Sequence, residues 1–560
     1  MNLKLLSAQE KRFRSSLICI FAVGFVLFFW WTQSLYGFNP TDDGFILAQS
    51  WRLVQGELPH IDFTSPRPLG SAFLHAPFVI SDWNMLAISR LFVTIQLFWI
   101  ARNCVVLCTP MGKEKNQYMV LVGTLIAFVL NVGVWPIMAW HTVDGLFIGS
   151  IALSKFRRLY ISNNENASSW FFVFLLAGVT PLFKQGFATV PLAIFAFLII
   201  AKSWNLLLRS LWMAIPGVAY FLAFNHVEGG LLKQLYTGSE TEAFGPFRLF
   251  LSAVSEGQFG MFTILFACVL VFLRFFNVHL FVVFAMALSV APLALAFENK
   301  LEMNSLWAYM ALGVFCLLTL LTTTDQDSLL VLLATGSLAL ASAYSWGVPN
   351  PGLLGGSLII GSLTRVYFFY RSRVSVQSWK ISGTRVVAFL VMVLCLVLTT
   401  QTRSQNVYGD LPKTQLGSST KITQFGLVRM NLGMKAYLES LKACTEKYPA
   451  RWTAVLPDGP GLYPLLSLGN PFSSDWWFPP EASWDKSTRD LKTIKNLNNS
   501  VDWLVLVQSY SAGLIPELNN FSANIPDEKY FRTVEDRDSI SYLNGDPVTC
   551  GSFTGFYRPR

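Results

Sequence analysis

The sequence predicts a mostly α-helical, polytopic membrane protein of about 13 transmembrane helices with a small extracytoplasmic α/β domain at its C-terminal end. Three observations lead there. The 560 residues are 53% hydrophobic and only 13% charged, where a soluble chain carries about 25% charged residues. The apolar residues gather in runs of roughly 15–22, the length that crosses a bilayer. After residue 402 those runs stop, and turn-rich, strand-like and helical patterns replace them. Disorder, a fibrous repeat and an ordinary soluble enzyme are excluded by the same composition.

The net charge of +9 needs to be located before it is interpreted. From residue 402 onward there are 17 Lys+Arg against 16 Asp+Glu, so the excess lies almost wholly in the apolar part. That is the signature of the positive-inside rule rather than of nucleic-acid binding, and no nucleic-acid partner is expected.

The first apolar run, 17–35, follows Lys4, Lys11, Arg12 and Arg14 and ends in Trp30, Trp31 and Tyr36. It lacks a small-residue cleavage site and carries an interfacial aromatic belt, so it is expected to be an uncleaved anchor with a cytoplasmic N-terminus. Further spans are expected near 85–108, 118–135, 137–154, 170–183, 186–201, 210–224, 258–273, 277–297, 304–322, 328–345, 353–370 and 385–401. Loop charges agree with this alternation. Lys113, Lys115, Lys155, Arg157, Arg158, Lys202, Arg209, Arg274, Arg371, Arg373, Lys380 and Arg385 all fall on the inner side, and with the N-terminal four they make 16 of the 25 basic residues before position 402. Asp325 and Asp327 share the inner side without a basic neighbour, but acidic residues weigh little in this rule. An odd number of spans leaves residues 402–560 outside the cytoplasm.

That region reads as a separate domain from 1–401. It holds a helical pattern at about 432–447, a strand-like run from Val501 to Val507, and turn-rich stretches at 456–464 and 469–474. Cys444 and Cys550 are its two cysteines, and an oxidising compartment favours one disulfide between them. The other six cysteines lie in or beside spans, where cysteine is a small buried hydrophobe. Asn166, Asn498 and Asn520 stand in glycosylation-type sequons that recur by chance.

The informative segment is the long first outer loop, about 36–84, since long ordered loops beside a membrane tend to be functional. It reads Asn39-Pro40-Thr41-Asp42-Asp43-Gly44, a small-residue stretch to Arg52, Gly56-Glu57-Leu58-Pro59-His60-Ile61-Asp62-Phe63, and Ser65-Pro66-Arg67-Pro68-Leu69-Gly70. Thr41 or Asp42 is positioned to cap a helix running to about Val54, with Gly56 ending it. Two further groups stand at outer ends of spans: Trp140-His141-Thr142-Val143-Asp144-Gly145 and Phe183-Lys184-Gln185-Gly186. Each has a bland reading, as helix caps, a polar pair at a helix start, or a lysine snorkelling to headgroups.

Taken in order, these motifs resemble the C-type, polyprenyl-phosphate-dependent integral-membrane glycosyltransferases. The nearest resemblance is to bacterial relatives of the protein O-mannosyltransferases and of the aminoarabinose transferases that modify lipid A. That family usually has Asp-Glu where this chain has Asp42-Asp43. It has about 13 spans, a catalytic outer loop after the first, and often a small exported C-terminal domain, whose start Leu456-Pro457-Asp458-Gly459-Pro460-Gly461 and Asn470-Pro471 resemble. The resemblance implies transfer of a sugar from a lipid-linked phosphate to an acceptor hydroxyl, with inversion.

Such a donor needs a base for the hydroxyl and cations for the phosphate. Asp42 is expected to be the base, with Asp43 as partner or alternative, since adjacent carboxylates push one pKa up. Arg67, which stands where the lipid A enzymes have a lysine before proline, Lys184 and Arg90 are the candidates for the donor phosphate. His60, Asp62, His141 and Asp144 are candidates for substrate binding, His60 and Asp62 equally for bracing the loop. No His-x-x-x-His, Cys-x-x-Cys or glycine-rich phosphate loop is present, so no metal site and no cofactor are expected, although Asp42, Asp43 and Asp144 offer oxygen ligands for a divalent cation. The expected partners are a polyprenyl-phosphate-sugar, a glycan, lipid or protein acceptor, and the bilayer of a bacterial inner (plasma) membrane. A transporter or flippase of lipid-linked saccharides, or a saccharide polymerase or ligase, is the alternative; repeats with mid-membrane charges, or a late functional loop, would favour those.

Overall fold

The computed structural model describes residues 2–110, 117–133, 135–224, 230–236, 268–298, 307–322, 325–343, 351–373, 381–408, 410–456, 459–476, 486–508, 540–551 and 553–560. Lys113, Lys115, Lys380, Pro457, Asp458, Asn520 and the predicted span 258–273 up to residue 267 lie outside the described residues.

The chain is mostly helical. Helix α1 (Asn2–Phe29) ends in a π turn, Trp30–Ser34. Helices α2 (Asp42–Val54) and α3 (Gly70–Val79) form the long loop. Then come α4 (Met85–Cys108), α5 (Gln117–Val132), α6 (His141–Ile161), α7 (Ala167–Val179), α8 (Thr189–Ile200), α9 (Trp204–Arg209), α10 (Ile215–Phe224) and the short α11 (Leu231–Tyr236). The remaining long helices are α12 (Val278–Glu298), α13 (Trp307–Thr322), α14 (Gln326–Ala343), α15 (Gly352–Arg373) and α16 (Ile381–Gln405). Among the described residues, six stretches are long and apolar enough to cross a membrane: Ser16–Ser34, Met85–Cys108, Trp204–Phe224, Val278–Glu298, Gln326–Ala343 and Gly352–Arg373. Gln117–Val132, Ala167–Leu182, Gln185–Ile200 and Trp307–Thr322 are apolar but shorter.

Two boundaries move for a physical reason. The span expected at 137–154 is helix α6, His141–Ile161. It starts late because Trp140 is extended (φ −148°). It continues through Lys155, Arg157 and Arg158 because Arg157 is buried and paired. Its guanidinium donates to both carboxylate oxygens of Asp327 at 2.6 Å and to the carbonyls of Val106 and Leu107. So Asp327, which the loop-charge pattern left without a basic neighbour, has one from another helix. Asp325 caps α14 by accepting from the Ser328 amide at 2.9 Å.

Aromatic rings fill the bundle: Phe29, Phe128, Phe156, Phe174 and Phe197 are all fully buried. A second core lies at the end of the bundle that carries α2, called the loop end below. There Phe38, Ile46 and Leu47 of the loop share one apolar cluster with Phe425, Val428, Met430, Leu462 and Leu504 from after residue 402. Each large side chain buried this way is worth roughly 1.5–3 kcal/mol, so the loop and the C-terminal residues hold each other in place. The C-terminal region itself has helices α17 (Leu432–Lys447), α18 (Leu462–Leu466) and α19 (Lys486–Asn498). Its strands are β1 (Trp452–Leu456), β2 (Trp503–Gln508), β3 (Asp546–Cys550) and β4 (Phe553–Arg558), in the order β1-β2-β4-β3. β1 and β2 are parallel, with Trp452 opposite Trp503; the other pairs are antiparallel. Cys444 on α17 and Cys550 on β3 form a disulfide with an S–S distance of 2.09 Å.

Candidate functional site

The loop motif sits at the start of α2, with Thr41 at the N-cap position as expected but without a capping side-chain hydrogen bond. Asn39 Oδ1 accepts from the amides of Thr41 (2.9 Å) and Asp42 (3.2 Å), and the Asn39 amide donates to Asp43 Oδ2 at 2.9 Å. This reciprocal arrangement satisfies the helix start. Asp42 is thereby released from capping, and accepts at Oδ2 from the Tyr408 hydroxyl at 2.6 Å.

The two aspartates differ sharply. Asp42 is half-buried, whereas Asp43 is only 5% exposed and pairs with Arg90 Nη2 at 2.9 Å. Burial pushes the Asp43 carboxyl up, with Arg90 and the Asn39 amide opposing. Arg90 also donates to the carbonyls of Ser34 and Gly37, each at 2.8 Å. It therefore ties the π turn, the loop and Asp43 together from beneath, and does not snorkel. Behind the pair is a polar cavity of about 30 Å³ lined by Gln33, Asp43, Arg90, Arg403, Tyr408 and Lys413.

Phe45, one turn along α2 from Asp42, collects the next groups. Its ring lies 5.7 Å from His141 and 5.5 Å from Trp476, and the Arg67 guanidinium lies over it at 5.8 Å. Arg67, Lys184 and His75 are the cationic or titratable groups whose charge the His141 imidazole feels. Three sequence-nominated residues, Arg67, His141 and Lys184, thus converge. Two close approaches make this possible. A Cβ on Gly145 would lie 2.3 Å from the Phe187 ring, so the glycine lets the turn bearing Lys184 pack onto the start of α6. Gln185 Nε2 then holds the Pro66 carbonyl at 2.7 Å, fixing the Arg67 loop.

Asp144 is fully buried and does not pair with His141. Its Oδ1 accepts from Gln96 Nε2 at 2.7 Å and from His75 Nε2 at 3.1 Å. Asp144 Oδ2, His75 Nδ1 and His141 Nε2 have no hydrogen-bond partner among the described residues. His60 and Asp62 both make hydrogen bonds, His60 to Tyr220 and Gln234 and Asp62 within the loop itself. His60 is fully buried at φ +64°, with Nε2 2.5 Å from the Tyr220 hydroxyl and Nδ1 against Gln234. Burial pushes its pKa down to about 4, so it is neutral at neutral pH. Asp62 is exposed and accepts from the Leu58 amide at 2.7 Å.

Three contributions escaped the sequence. Tyr408 follows the last span in a stretch that carries no charge signal. Trp476 comes from the C-terminal region. Gly44 packs backbone to backbone on Gly461: a Cβ on Gly44 would lie 1.8 Å from the Gly461 Cα, and the Gly461 amide donates to the Pro40 carbonyl at 2.8 Å. Arg52 reinforces this dock, with Nε at 2.9 Å from Asp475 Oδ1, Nη1 at 2.6 Å from Glu57 and Nη2 at 2.6 Å from the Phe472 carbonyl.

Asp42, Asp43 and Asp144, which offer oxygen ligands, do not gather into one cation site among the described residues. Among the described residues no three His, Cys, Asp or Glu side chains form a metal-binding group. Asp43 is committed to Arg90, and Asp144 to Gln96 and His75.

No family model and no curated protein sequence matches the chain. Solved structures do. An oligosaccharyltransferase from Archaeoglobus fulgidus, in complex with Zn and sulfate, is 11% identical at a TM-score of 0.47, covering 88% of this chain and 68% of that one. Archaeal AglB from the same organism, with an inhibitory peptide and a dolichol-phosphate, is 13% identical at 0.47 over 89% and 70%. ArnT from Cupriavidus metallidurans, bound to undecaprenyl phosphate, is 10% identical at 0.44 over 88% and 93%.

Proposed function

We propose that this chain is an integral-membrane glycosyltransferase that moves a sugar from a polyprenyl-phosphate donor to an acceptor hydroxyl at the outer membrane face. One observation carries the reading: a half-buried carboxylate, Asp42, stands one helical turn from an aromatic and cationic cluster of Phe45, Trp476, Arg67 and Lys184, at the end of a bundle of apolar helices. In this reading Asp42 takes the proton as the acceptor oxygen attacks the anomeric carbon. The bond from that carbon to the phosphate oxygen breaks, its electron pair stays on the phosphate, and the carbon inverts. Arg67 and Lys184 meet the charge that develops there. Phe45 and Trp476 present flat apolar faces suited to a sugar ring, and Asp144 with His141 supplies polar contacts at its edge.

The geometry favours Asp42 over Asp43 as base. Asp43 is spent on Arg90 and Asn39, whereas Asp42 is held by a phenol that stays protonated, because burial and the neighbouring carboxylate push the Tyr408 hydroxyl up. Arg90 then acts on the reaction through Asp43 rather than on the phosphate. The orientation completes the proposal: N-terminus in the cytoplasm, residues 402–560 outside, in a bacterial inner membrane.

The test uses the full chain in proteoliposomes with a radiolabelled polyprenyl-phosphate sugar and membrane acceptors. Sugar transfer should be present in wild type and lost in an Arg67→Ala/Lys184→Ala variant that folds normally. Movement of the intact donor across the bilayer without sugar transfer would point to a flippase instead.

A further inference from the structure

Helices α1, α4, α5 and α6 enclose a lateral groove of about 510 Å³ that runs along α4 from Leu91, next to Arg90, to Val106. Its walls are mostly apolar: Val23 and Val26 of α1, Ile95 and Phe98 of α4, Val120 and Leu121 of α5, with Gln117 and Thr124 also lining it. α1 leans against the bundle with much of its surface open, Val23 being 54% and Phe21 50% exposed. One end of the groove is cationic. Arg102 of α4 and Arg158 of α6 both line it, within electrostatic reach of each other. Arg102 lies over the Trp99 ring at 4.9 Å. Among the described residues neither arginine pairs with a carboxylate, unlike Arg157 next along α6, which has Asp327. Two guanidinium groups beside an apolar slot suit a ligand with an anionic head and an apolar tail.

We propose that this groove is a specific site for one anionic phospholipid of the surrounding bilayer, its acyl chain along the α1–α4 wall and its phosphate between Arg102 and Arg158. Charge complementarity chooses the headgroup, and depth chooses the leaflet. Arg102 lies 12 residues beyond Arg90 on α4, about 18 Å along the axis at 1.5 Å per residue. The site therefore faces the leaflet opposite Asp42 and Asp43, and is separate from any donor phosphate held at the loop end. The inference rests on the bundle spanning a bilayer and not on the sugar-transfer reading.

The experiment is lipid analysis by native mass spectrometry of the full chain, purified from nanodiscs of mixed phosphatidylglycerol and phosphatidylcholine. Wild type should retain one phosphatidylglycerol in preference to the zwitterionic lipid. Arg102→Ala/Arg158→Ala should weaken that preference roughly thirtyfold, from about one unit of surface attraction per cation. Arg102→Lys/Arg158→Lys should keep most of it. Val23→Trp fills the slot, leaves both arginines intact and should also release the lipid, which decides the matter if the alanine pair does not fold. The proposal is overturned if wild type retains no phosphatidylglycerol above the bulk ratio. Retention by the tryptophan variant at wild-type level, or polyprenyl phosphate as the retained lipid, would overturn it equally.

Discussion

Replacing Gly44 by alanine is the sharpest perturbation of the dock between the loop and the C-terminal region. The new Cβ would fall 1.8 Å from the Gly461 Cα, 2.0 Å from its nitrogen and 3.0 Å from the Pro460 carbonyl carbon. All three are backbone atoms, so no side chain can swing away. Ordinary contact needs about 3.5 Å, so the two backbones must part by roughly 1.5 Å or more. Asp42 and Asp43 are the two residues just before Gly44, and move with it. A misplacement of about 1 Å at a reacting group costs on the order of a hundredfold in rate. The expected result is a fall in kcat of about that size, with donor KM changed little, measured by sugar transfer in proteoliposomes. The reverse change at Gly461 is gentler, since its Cβ would meet the Pro40 oxygen at 2.9 Å and the Gly44 Cα at 3.0 Å. Gly461→Ala should therefore fall between Gly44→Ala and wild type. A Gly44→Ala variant within twofold of wild type, or milder than Gly461→Ala, would refute this reasoning.

Three further outcomes are expected. Tyr408→Phe removes a hydrogen bond to a charged group, worth about 1.5–3 kcal/mol of stability, and should lower the apparent melting temperature as well as kcat/KM, because Asp42 loses the group that orients it. Arg90→Met leaves Asp43 buried without its cation, a loss of about 3–5 kcal/mol; Asp43→Asn in the same chain should restore part of the stability, and purely additive losses in a thermal double-mutant cycle would sink the pairing. His60 has its pKa lowered from 6.5 to about 4 by burial, so the unfolded state binds the proton first as pH falls. Its contribution is complete above pH 6.5 and is lost progressively toward pH 4, up to about 3 kcal/mol. Melting curves at pH 7.5 and 5 should show a smaller acid-induced drop for His60→Gln than for wild type.

Long apolar helices were legible because apolar runs of that length are written in the sequence; among the described residues six are long and apolar enough to cross a membrane, against about 13 expected spans. Helix α17 was legible too, its pattern at 432–447 matching Leu432–Lys447. What stayed hidden depended on residues far apart in sequence. The loop-charge pattern left Asp327 alone because its partner, Arg157, is on another helix. Asp42 and Asp43 were marked as a pair, yet their different surroundings follow from Tyr408 and Arg90, 366 and 47 positions away. The glycines at 44 and 461 each look like local turn residues, and only the contact between them explains why neither carries a side chain. His141 and Asp144 share a motif but not a hydrogen bond, because α3 and α4 deliver His75 and Gln96 to Asp144 first.

The most direct test of the account is the single substitution Asp42→Asn, which keeps the shape of the side chain and a hydrogen-bonding oxygen for Tyr408 but removes the base. In proteoliposomes supplied with a labelled polyprenyl-phosphate sugar and native acceptors, the account expects sugar transfer to fall by two orders of magnitude or more, with binding of the donor retained. Transfer at the wild-type rate by this variant would contradict the central claim.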